Sequence, residues 1–330
     1  MARVGLVVNP HAAGDVRRLT SLAPNLQLAQ RVNLTARVLS GVAAAGALDV
    51  LAMPEPFGIV DRAADLLARS DADGIGTALR VTETDTPLAT DSDGTRAAAA
   101  AMRAAGVACV VTVGGDGTVR AVVTGWPDAI AVPVAGGTNN SVAVPVGPEA
   151  VGLAAGRFAL DPRTHARFVE RHTVLESDDS HGDRRLAVAD VTLTSHGWTG
   201  SHAVWDPARL LETVIARSDG TRTGLAGLAG RVSELGPGEA LHLRFGAPGR
   251  RLLAPLAPGR FVPVEIRDWR VLAPGEAIAL TLPAASATVA FDGERELVVH
   301  QPQRIRVRPR SGRLAVLSVA ALLHAATDGR

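Results

Sequence analysis

Asp116 is the residue whose surroundings point most directly to chemistry. It stands in the sequence Gly114-Gly115-Asp116-Gly117-Thr118, directly after a run of small and β-branched residues. Glycines at this spacing allow tight turns and let a ligand come close to the backbone. Exposed N–H groups at the start of a following helix favour anions such as phosphate. A carboxylate at this position would repel phosphate, so its presence suggests a role in the reaction. Asp116 is therefore a candidate catalytic residue, and the alternative is that Asp116 is a helix N-cap.

Two further loops carry polar residues after apolar runs. Asn9 opens the loop 9–14, and Gly136-Gly137-Thr138-Asn139-Asn140-Ser141 follows the run Ala129–Val134. In a parallel sheet, ligands collect outside the carboxyl ends of the strands. Because all three loops follow predicted strands, we expect them to meet at one edge of the sheet and to form one site.

The elements that position these loops alternate between strand and helix patterns through about residue 158. Uniformly apolar runs predict buried strands, and apolar residues at helical spacing predict helices between them. This alternation is typical of βαβ units and a parallel sheet. The predicted strands are 4–8, 48–53, 76–81, 108–113 and 129–134, and the predicted helices are 27–45, 59–68, 95–105 and 118–124.

The pattern changes after about residue 165 to short apolar or alternating runs separated by turn signals, which predicts a mostly antiparallel β-domain. We therefore expect an α/β domain over 1–160 and a β-rich domain over 161–330, sharing a cleft. Predicted exceptions to the strands are a helix Pro207–Arg217 and a terminal helix Val319–Ala326 that returns to the first domain. The predicted strands are 186–193, 240–245, 261–266, 277–282, 287–291, 296–299, 304–307 and 314–317, with turns that include 248–249 and 292–294.

The composition excludes several classes of function. A net charge of +1 argues against a general nucleic-acid binder, and one cysteine, Cys109, excludes disulfide frameworks and cysteine-based zinc sites. The sequence contains no lysine, which excludes the P-loop motif and Schiff-base chemistry. A phosphate must therefore be met by arginine, by backbone N–H groups or by a metal. The sequence has no signal-peptide pattern and no apolar stretch of membrane-spanning length, so we expect a soluble cytoplasmic protein.

Three motifs in this order resemble the NAD kinase and diacylglycerol kinase superfamily: Gly114–Thr118, Gly137-Thr138-Asn139-Asn140 and Asp292-Gly293-Glu294. Within it, the chain is most similar to the ATP-NAD kinase/AcoX-like branch associated with acetoin catabolism. The segments Val4–Gly14, Ala203–Asp206 and Phe291–Glu296 support that branch. The resemblance covers nearly the whole chain. It implies a two-domain, NAD kinase-like fold that holds a nucleotide between its domains.

The resemblance also implies roles for individual residues. Asp116 would act as general base or orient the acceptor hydroxyl, and Asp292 and Glu294 would lie near Mg²⁺ and the reacting centre. The implied cofactors are ATP and Mg²⁺, with NAD or a related metabolite as acceptor, in a homodimer or tetramer. The implied nucleotide- and phosphate-binding residues are Asn9, Gly114, Gly115, Gly117, Thr118, Gly137, Thr138 and Asn139.

The acceptor side departs from the related kinases. The chain has no tyrosine for the loop that holds NAD in NAD kinases, and Val119-Arg120 stands where diacylglycerol-type kinases carry an Asn-Glu pair. Two alternatives to a kinase of small molecules therefore stay open. One is a nucleotide- or NAD-binding regulator without catalysis, and the other is a lipid kinase, for which no basic membrane face is identified.

Several further residues carry two interpretations each. Arg120 is interpreted either as a residue that stabilises phosphate charge or as a helix-surface residue. Asn140 and Ser141 are interpreted either as contacts to the nucleotide or as caps of the following turn. For Asp206 a helix N-cap is favoured over a binding role. The loop residues His11, His196 and His202 are interpreted as ordinary loop histidines, and the acidic run 178–183 as a solvated turn.

Overall fold

A computed structural model describes residues 2–12, 22, 26–47, 49–70, 74, 78–88, 90–195, 203–204, 206–282, 287–299 and 304–325. The described residues of the first half of the chain contribute five parallel strands to one sheet, in which neighbouring strands follow the order β3-β2-β1-β4-β5. These strands are β1 (Arg3–Val8), β2 (Asp49–Ala52), β3 (Arg80–Glu83), β4 (Cys109–Gly114) and β5 (Ile130–Ala135). The predicted parallel sheet is confirmed, although the third strand begins at Arg80 rather than at residue 76; residues 75–77 lie outside the described part of the chain.

Helices cover both faces of this sheet, as expected for parallel strands buried on both sides. The helices are α1 (Leu28–Ala44), α2 (Ile59–Ser70), α3 (Ser92–Ala104), α4 (Asp116–Gly125), α5 (Pro148–Leu160) and the short α6 (Pro162–His165). One face packs against α1, α2 and α5, and the other packs against α3 and α4. Asp91 caps α3, since its carboxylate accepts from Gly94 N at 2.9 Å.

The later half of the chain extends the same sheet. Strand β15 (Arg304–Leu317) pairs in parallel with β5 and antiparallel with β6 (Val169–Asp178). Strands β7 (Arg184–Ala187) and β12 (Ile278–Thr281) bring this sheet to nine strands among the described residues. Segments on both sides of residue 160 thus share one sheet, and the division into two domains at that residue stays a prediction.

A second sheet of six strands lies in the later half and is antiparallel throughout, in the order β11-β10-β9-β8-β13-β14. Its strands are β8 (Asp190–Thr194), β9 (Leu210–Ile215), β10 (Ala240–Ala257), β11 (Arg260–Leu272), β13 (Ala287–Phe291) and β14 (Glu294–Val299). A short helix α7 (Leu225–Ala229) precedes β10, and α8 (Val319–Ala325) packs on the core of the first half. The predicted β-rich character and the returning terminal helix are confirmed, with residue 326 outside the described residues.

The predicted helix Pro207–Arg217 is wrong. Only Pro207–Arg209 forms a 3₁₀ turn, and the chain then enters β9. Thr213, Val214 and Ile215 are β-branched, which favours a strand, and β9 lies between β8 and β10 in the sheet. Asp206 does cap the turn, because its carboxylate accepts from Ala208 N at 3.1 Å.

Three predicted strand boundaries are also wrong. The run 186–193 divides at Val188-Ala189 between the two sheets, because the N–H groups of these residues donate to Asp292 instead of to a neighbouring strand. Pro248-Gly249 lies inside β10, where the register with β11 shifts, rather than in a turn between strands. The runs 304–307 and 314–317 form the single strand β15.

Aliphatic side chains fill the core, and glycines bring α1 and α5 close together. A Cβ atom on Gly152 of α5 would lie 2.0 Å from the carbonyl oxygen of Val38 in α1. Backbone atoms cannot move away without separating the two helices. The Gly152 position is therefore closed to any larger residue.

We expect Gly152→Ala to lower the free energy of unfolding by about 1–3 kcal/mol or more, because overpacking a rigid contact forces the helices apart. Urea unfolding of the intact chain measures the change. Leu160→Ala, at a half-exposed position on the same helix, is the control and should cost less. Equal stability of Gly152→Ala and the native chain would contradict this close packing.

None of the helices in the described part of the chain is both long enough and apolar enough to cross a membrane.

Candidate active site

The three predicted loops meet at the carboxyl edge of the parallel sheet. Asn9 N donates to Val113 O at 3.0 Å, and Gly136 N donates to Gly114 O at 3.0 Å, so each loop begins beside β4. The Asn9 side chain then ties the first loop to α4, because its Nδ2 donates to Thr118 Oγ1 at 3.0 Å. The part of the first loop beyond residue 12 lies outside the described residues.

Glycine is required where the second and third loops touch. A Cβ atom on Gly137 would lie 2.6 Å from Gly115 Cα, a contact between two backbones that neither can relieve. The glycines therefore keep the two loops in contact. Asn140 braces the turn, since its side chain bonds both N and O of Gly137 at 2.9 and 3.0 Å.

Asp116 is the first residue of α4 but does not cap its own helix, whose N-cap is Gly115. Its buried carboxylate reaches the third loop instead: Oδ1 accepts from Ser141 N at 3.0 Å and from Val142 N at 3.1 Å. Burial raises the pKa of Asp116, against the lowering effect of these two N–H groups. A buried carboxyl group with a raised pKa at a cleft is typical of proton-transfer chemistry.

Asp292 occupies the turn between β13 and β14, with a φ of 54°. Its side chain is fully buried. Oδ1 accepts from Val188 N at 2.9 Å and from Ala189 N at 2.7 Å. Burial above all, together with the charges of Asp190 and Asp116, raises the pKa of Asp292 to about 7, and the positive charge of Arg120 opposes the rise.

This raised pKa makes a testable contribution to stability. The folded chain keeps a proton on Asp292 up to about pH 7, whereas the unfolded chain releases it near its ordinary pKa of 3.8. Between these values the folded state binds more protons, so this group's contribution to the unfolding free energy falls as the pH rises.

We therefore expect the native chain to lose on the order of 2–3 kcal/mol more stability than Asp292→Asn between pH 5 and pH 8. Denaturant unfolding at both pH values measures the difference. Parallel curves for the two chains would contradict it.

Arg120 joins the two halves of the chain at this point. It extends from α4, and its Nε lies 3.3 Å from Asp292 Oδ2, while its Nη2 donates to Glu296. Its side chain is 10% exposed, which excludes the interpretation of Arg120 as a helix-surface residue. Although burial opposes the charge, Asp292, Glu296 and Glu294 together raise the pKa of Arg120.

A cleft of about 810 Å³ lies over the loops. All the candidate site residues except Gly114 and Asn140 line it: Asn9, Gly115, Asp116, Gly117, Thr118, Arg120, Gly137, Thr138, Asn139, Asp292 and Glu294. The exposed His11 lies on its rim. Backbone N–H groups, hydroxyl groups and two arginines, Arg96 and Arg120, fit the phosphates of a nucleotide.

A second cavity, of about 30 Å³, shares part of its lining with the cleft. Asp116, Asn139 and Asp292 line both the cleft and the cavity. Groups bound in the cleft and in the cavity would therefore contact the same two buried carboxyl groups.

The carboxylates fit a metal ion that arrives with the nucleotide. Within the described ranges, no three metal-ligating side chains converge on one point. Mg²⁺ is commonly held by one or two carboxylates together with substrate phosphates. Asp292, whose Oδ2 is buried without a hydrogen bond from the described residues, and the exposed Glu294 could supply such carboxylates.

Two arginines beneath the site were missed by the sequence analysis. Arg217 is partly buried. Loss of hydration lowers its pKa to about 10, against the opposite effect of Asp116 and Asp292. Arg222 holds the third loop from the second half of the chain, donating to Ala143 O at 2.5 Å. Their only sequence signal is charge close to apolar runs, which does not distinguish them from the other arginines of a lysine-free chain.

The remaining candidates have structural roles or fall outside the description. Asp179 and Asp183 form a hydrogen-bonded turn, as predicted for the acidic run. Cys109 is fully buried in β4. His196, His202 and Trp205 lie outside the described residues.

The fold and the site define an ATP-NAD kinase-type architecture, and the comparisons agree. Residues 4–140 match the family model of the ATP-NAD kinase N-terminal domain, and residues 173–312 match that of the acetoin catabolism protein X C-terminal domain. The chain is 34% identical to acetoin catabolism protein X of Cupriavidus necator over 332 residues, covering 97% of this chain and 91% of that protein. The chain belongs to the acetoin catabolism protein X family, which confirms the resemblance inferred from the motifs.

Among solved structures, yeast NADH kinase in complex with NADH aligns with 95% of this chain and 82% of that chain, at 12% identity and a TM-score of 0.46.

Proposed function

We propose that the protein is an ATP-dependent phosphotransferase that phosphorylates a hydroxyl group of a small molecule, with Mg-ATP as the donor substrate. The observation that carries the proposal is the shared border: Asp116, Asn139 and Asp292 line both a cleft suited to phosphates and a smaller adjoining cavity. Donor and acceptor would meet at that border. Phosphoryl transfer needs mainly such positioning and charge neutralisation.

The chemical step assigns each group a task. The acceptor oxygen forms a bond to the γ-phosphorus while the bond from that phosphorus to the β–γ bridging oxygen breaks, and ADP leaves. Asp116 takes the hydroxyl proton, for which a raised pKa is suitable. Phosphate oxygens would contact the glycine loops, Asn9 and Thr118. Asp292 and Glu294 would hold Mg²⁺ together with the phosphates, and the ion would neutralise part of the phosphate charge.

An acceptor panel tests the proposal. Purified protein is incubated with Mg-ATP and NAD, NADH or acetoin, the last because of the relative's name. ADP release that depends on an acceptor is the expected result, and NADP formation is followed with an NADP-specific dehydrogenase. Failure to form NADP would exclude NAD as the acceptor. Failure to release ADP with any neutral hydroxyl compound would contradict the phosphotransferase assignment.

A second candidate, a nucleotide-binding regulator without catalysis, is favoured by a different observation. The carboxylates of Asp116 and Asp292 already accept hydrogen bonds from backbone N–H groups. Arg120 is already paired with Asp292 and Glu296. Such pairing would also suit a purely structural role for these groups. Calorimetric titration with ATP and NAD separates the candidates, since saturable binding without turnover across the acceptor panel supports the regulator.

A further inference from the structure

A cavity rich in arginine adjoins the phosphate cleft. Its volume of about 570 Å³ is within the range of small-molecule binding sites, and its walls come from α3, α4, β6, β7, β14 and β15. Asp116 and the glycine loops do not line this cavity, so a ligand in it would be separate from the nucleotide. The arginines that line it, and for which we call it the arginine cavity, are Arg96, Arg120, Arg184, Arg185, Arg308 and Arg313.

The acidic side chains of the arginine cavity do not cancel its positive charge. Three carboxylates line it, against six arginines. Each of these carboxylates already belongs to an ion pair: Glu176 with Arg310, Asp183 with Arg185 and Glu296 with Arg120. Arg310 does not line the cavity, so the charge of Glu176 is balanced from outside it. A local excess of positive charge therefore occurs in a chain whose net charge is only +1.

Two arginines of the cavity have no carboxylate partner. Arg96 and Arg308 pair with acidic residues that lie outside the cavity. The side chains of Arg184 and Arg313 form no ion pair or hydrogen bond with the described residues. The Nε of Arg308 is also buried without an acceptor in the described ranges. One exposed arginine without a partner is ordinary, but two of them beside a buried, unpaired N–H group indicate a site for an anion.

The unpaired groups define the charge of the ligand. A guanidinium group binds a carboxylate or a phosphate through two parallel N–H···O bonds. Two guanidinium groups without partners match a ligand that carries two negative charges. An apolar part of the lining, formed by Ala121, Val123 and Leu186, suits a short hydrocarbon portion of that ligand.

We propose that the arginine cavity is a second ligand site, which binds a small dianion, either a dicarboxylate or a phosphate monoester. Arg184 and Arg313 bind its negative charges, and Arg308 Nε donates a further hydrogen bond. Arg96 and Arg120 line both this cavity and the phosphate cleft, so the two sites are neighbours. The inference goes beyond the phosphotransferase proposal and does not depend on catalysis.

Calorimetry on the full chain without nucleotide tests the site with a charge series on one skeleton. Butanedioate carries two charges, its monoamide carries one, and butanediamide carries none. We expect affinity to fall by about 3- to 10-fold for each lost charge. Glycerol 3-phosphate tests the phosphate source of the same charge, and the tighter of the two dianions identifies the source. The absence of saturable binding by both dianions would overturn the inference, as would a diamide that binds as tightly as butanedioate.

Two variants locate the binding. Arg184→Gln and Arg313→Gln each remove one unpaired charge, and each should weaken the dianion by about 3- to 10-fold. Arg103→Gln removes the same charge from an exposed position at the end of α3, outside the cavity, and should leave the affinity within about twofold. Thermal unfolding scans establish that each variant is folded.

The affinity for ATP distinguishes the arginine cavity from the phosphate cleft. Arg184 and Arg313 do not line the cleft, so both variants should bind ATP as the native chain does. Dianion affinity that is unchanged in both variants would overturn the proposed site. Equal weakening of dianion and ATP in these variants would also overturn it, because the dianion would then occupy the nucleotide cleft.

Discussion

Asp116→Asn is expected to lower kcat by about 10²- to 10⁴-fold, because the amide cannot take the proton of the acceptor hydroxyl. The side chain keeps one oxygen for the N–H groups of Ser141 and Val142, which the carboxylate bonds now. The third loop should therefore stay close to its place. Acceptor-dependent ADP release measures kcat, and calorimetry with ATP measures whether the cleft still binds nucleotide.

The same substitution at an exposed carboxylate is the matched control. Asp128→Asn changes charge equally in an exposed turn after α4, and it should leave kcat within twofold. Asp116→Asn that retains native activity would refute Asp116 as the base. Loss of both activity and ATP binding would instead identify Asp116 as an anchor of the loop.

Arg120→Met is expected to lower the free energy of unfolding by about 3–5 kcal/mol, because it leaves buried Asp292 without its cation. Methionine retains much of the volume and the flexibility of the arginine side chain. The loss of unfolding free energy should therefore reflect the removal of the positive charge more than a change in packing. Urea unfolding at pH 8, above the pKa of Asp292 of about 7, gives the full effect.

Combining Arg120→Met with Asp292→Asn tests the pairing. The double variant should be more stable than Arg120→Met alone, since the uncompensated carboxylate is gone. Arg96→Met, at a half-exposed ion pair on α3, is the control and should cost no more than about 1 kcal/mol. An Arg120→Met effect no larger than this control would contradict the role of the buried ion pair.

The parallel half of the fold could be predicted because local signals agree there. Apolar runs, glycine loops and the Asp91 cap all lie within a few residues of the element that they define. The predicted helix 207–217 fails because β9 is set by its neighbours β8 and β10, which are distant in the sequence. The division at Val188-Ala189 likewise depends on Asp292, about a hundred residues away.

In the candidate site, too, residues marked by local sequence signals could be predicted, whereas residues placed by contacts between distant parts of the chain could not. Asp116 and the glycine loops were found because composition and spacing are local. Arg217 and Arg222 were missed because their roles depend on tertiary contacts with residues distant in the sequence. Arg217 interacts with Asp116, and Arg222 donates to Ala143 O. The motif predicted Asp292, but not that its first oxygen would bond Val188 and Ala189.

Strand β15 has a consequence for biosynthesis. It pairs residue 130 with residue 315, so the sheet begun by the first strands is completed only long after those strands have been translated. Until then, β5 presents an open edge, and unpaired edges promote association with other chains. Non-local pairing of this kind also slows folding. Production of the first 160 residues alone would leave that edge permanently open, so aggregation of such a fragment would reflect a missing strand.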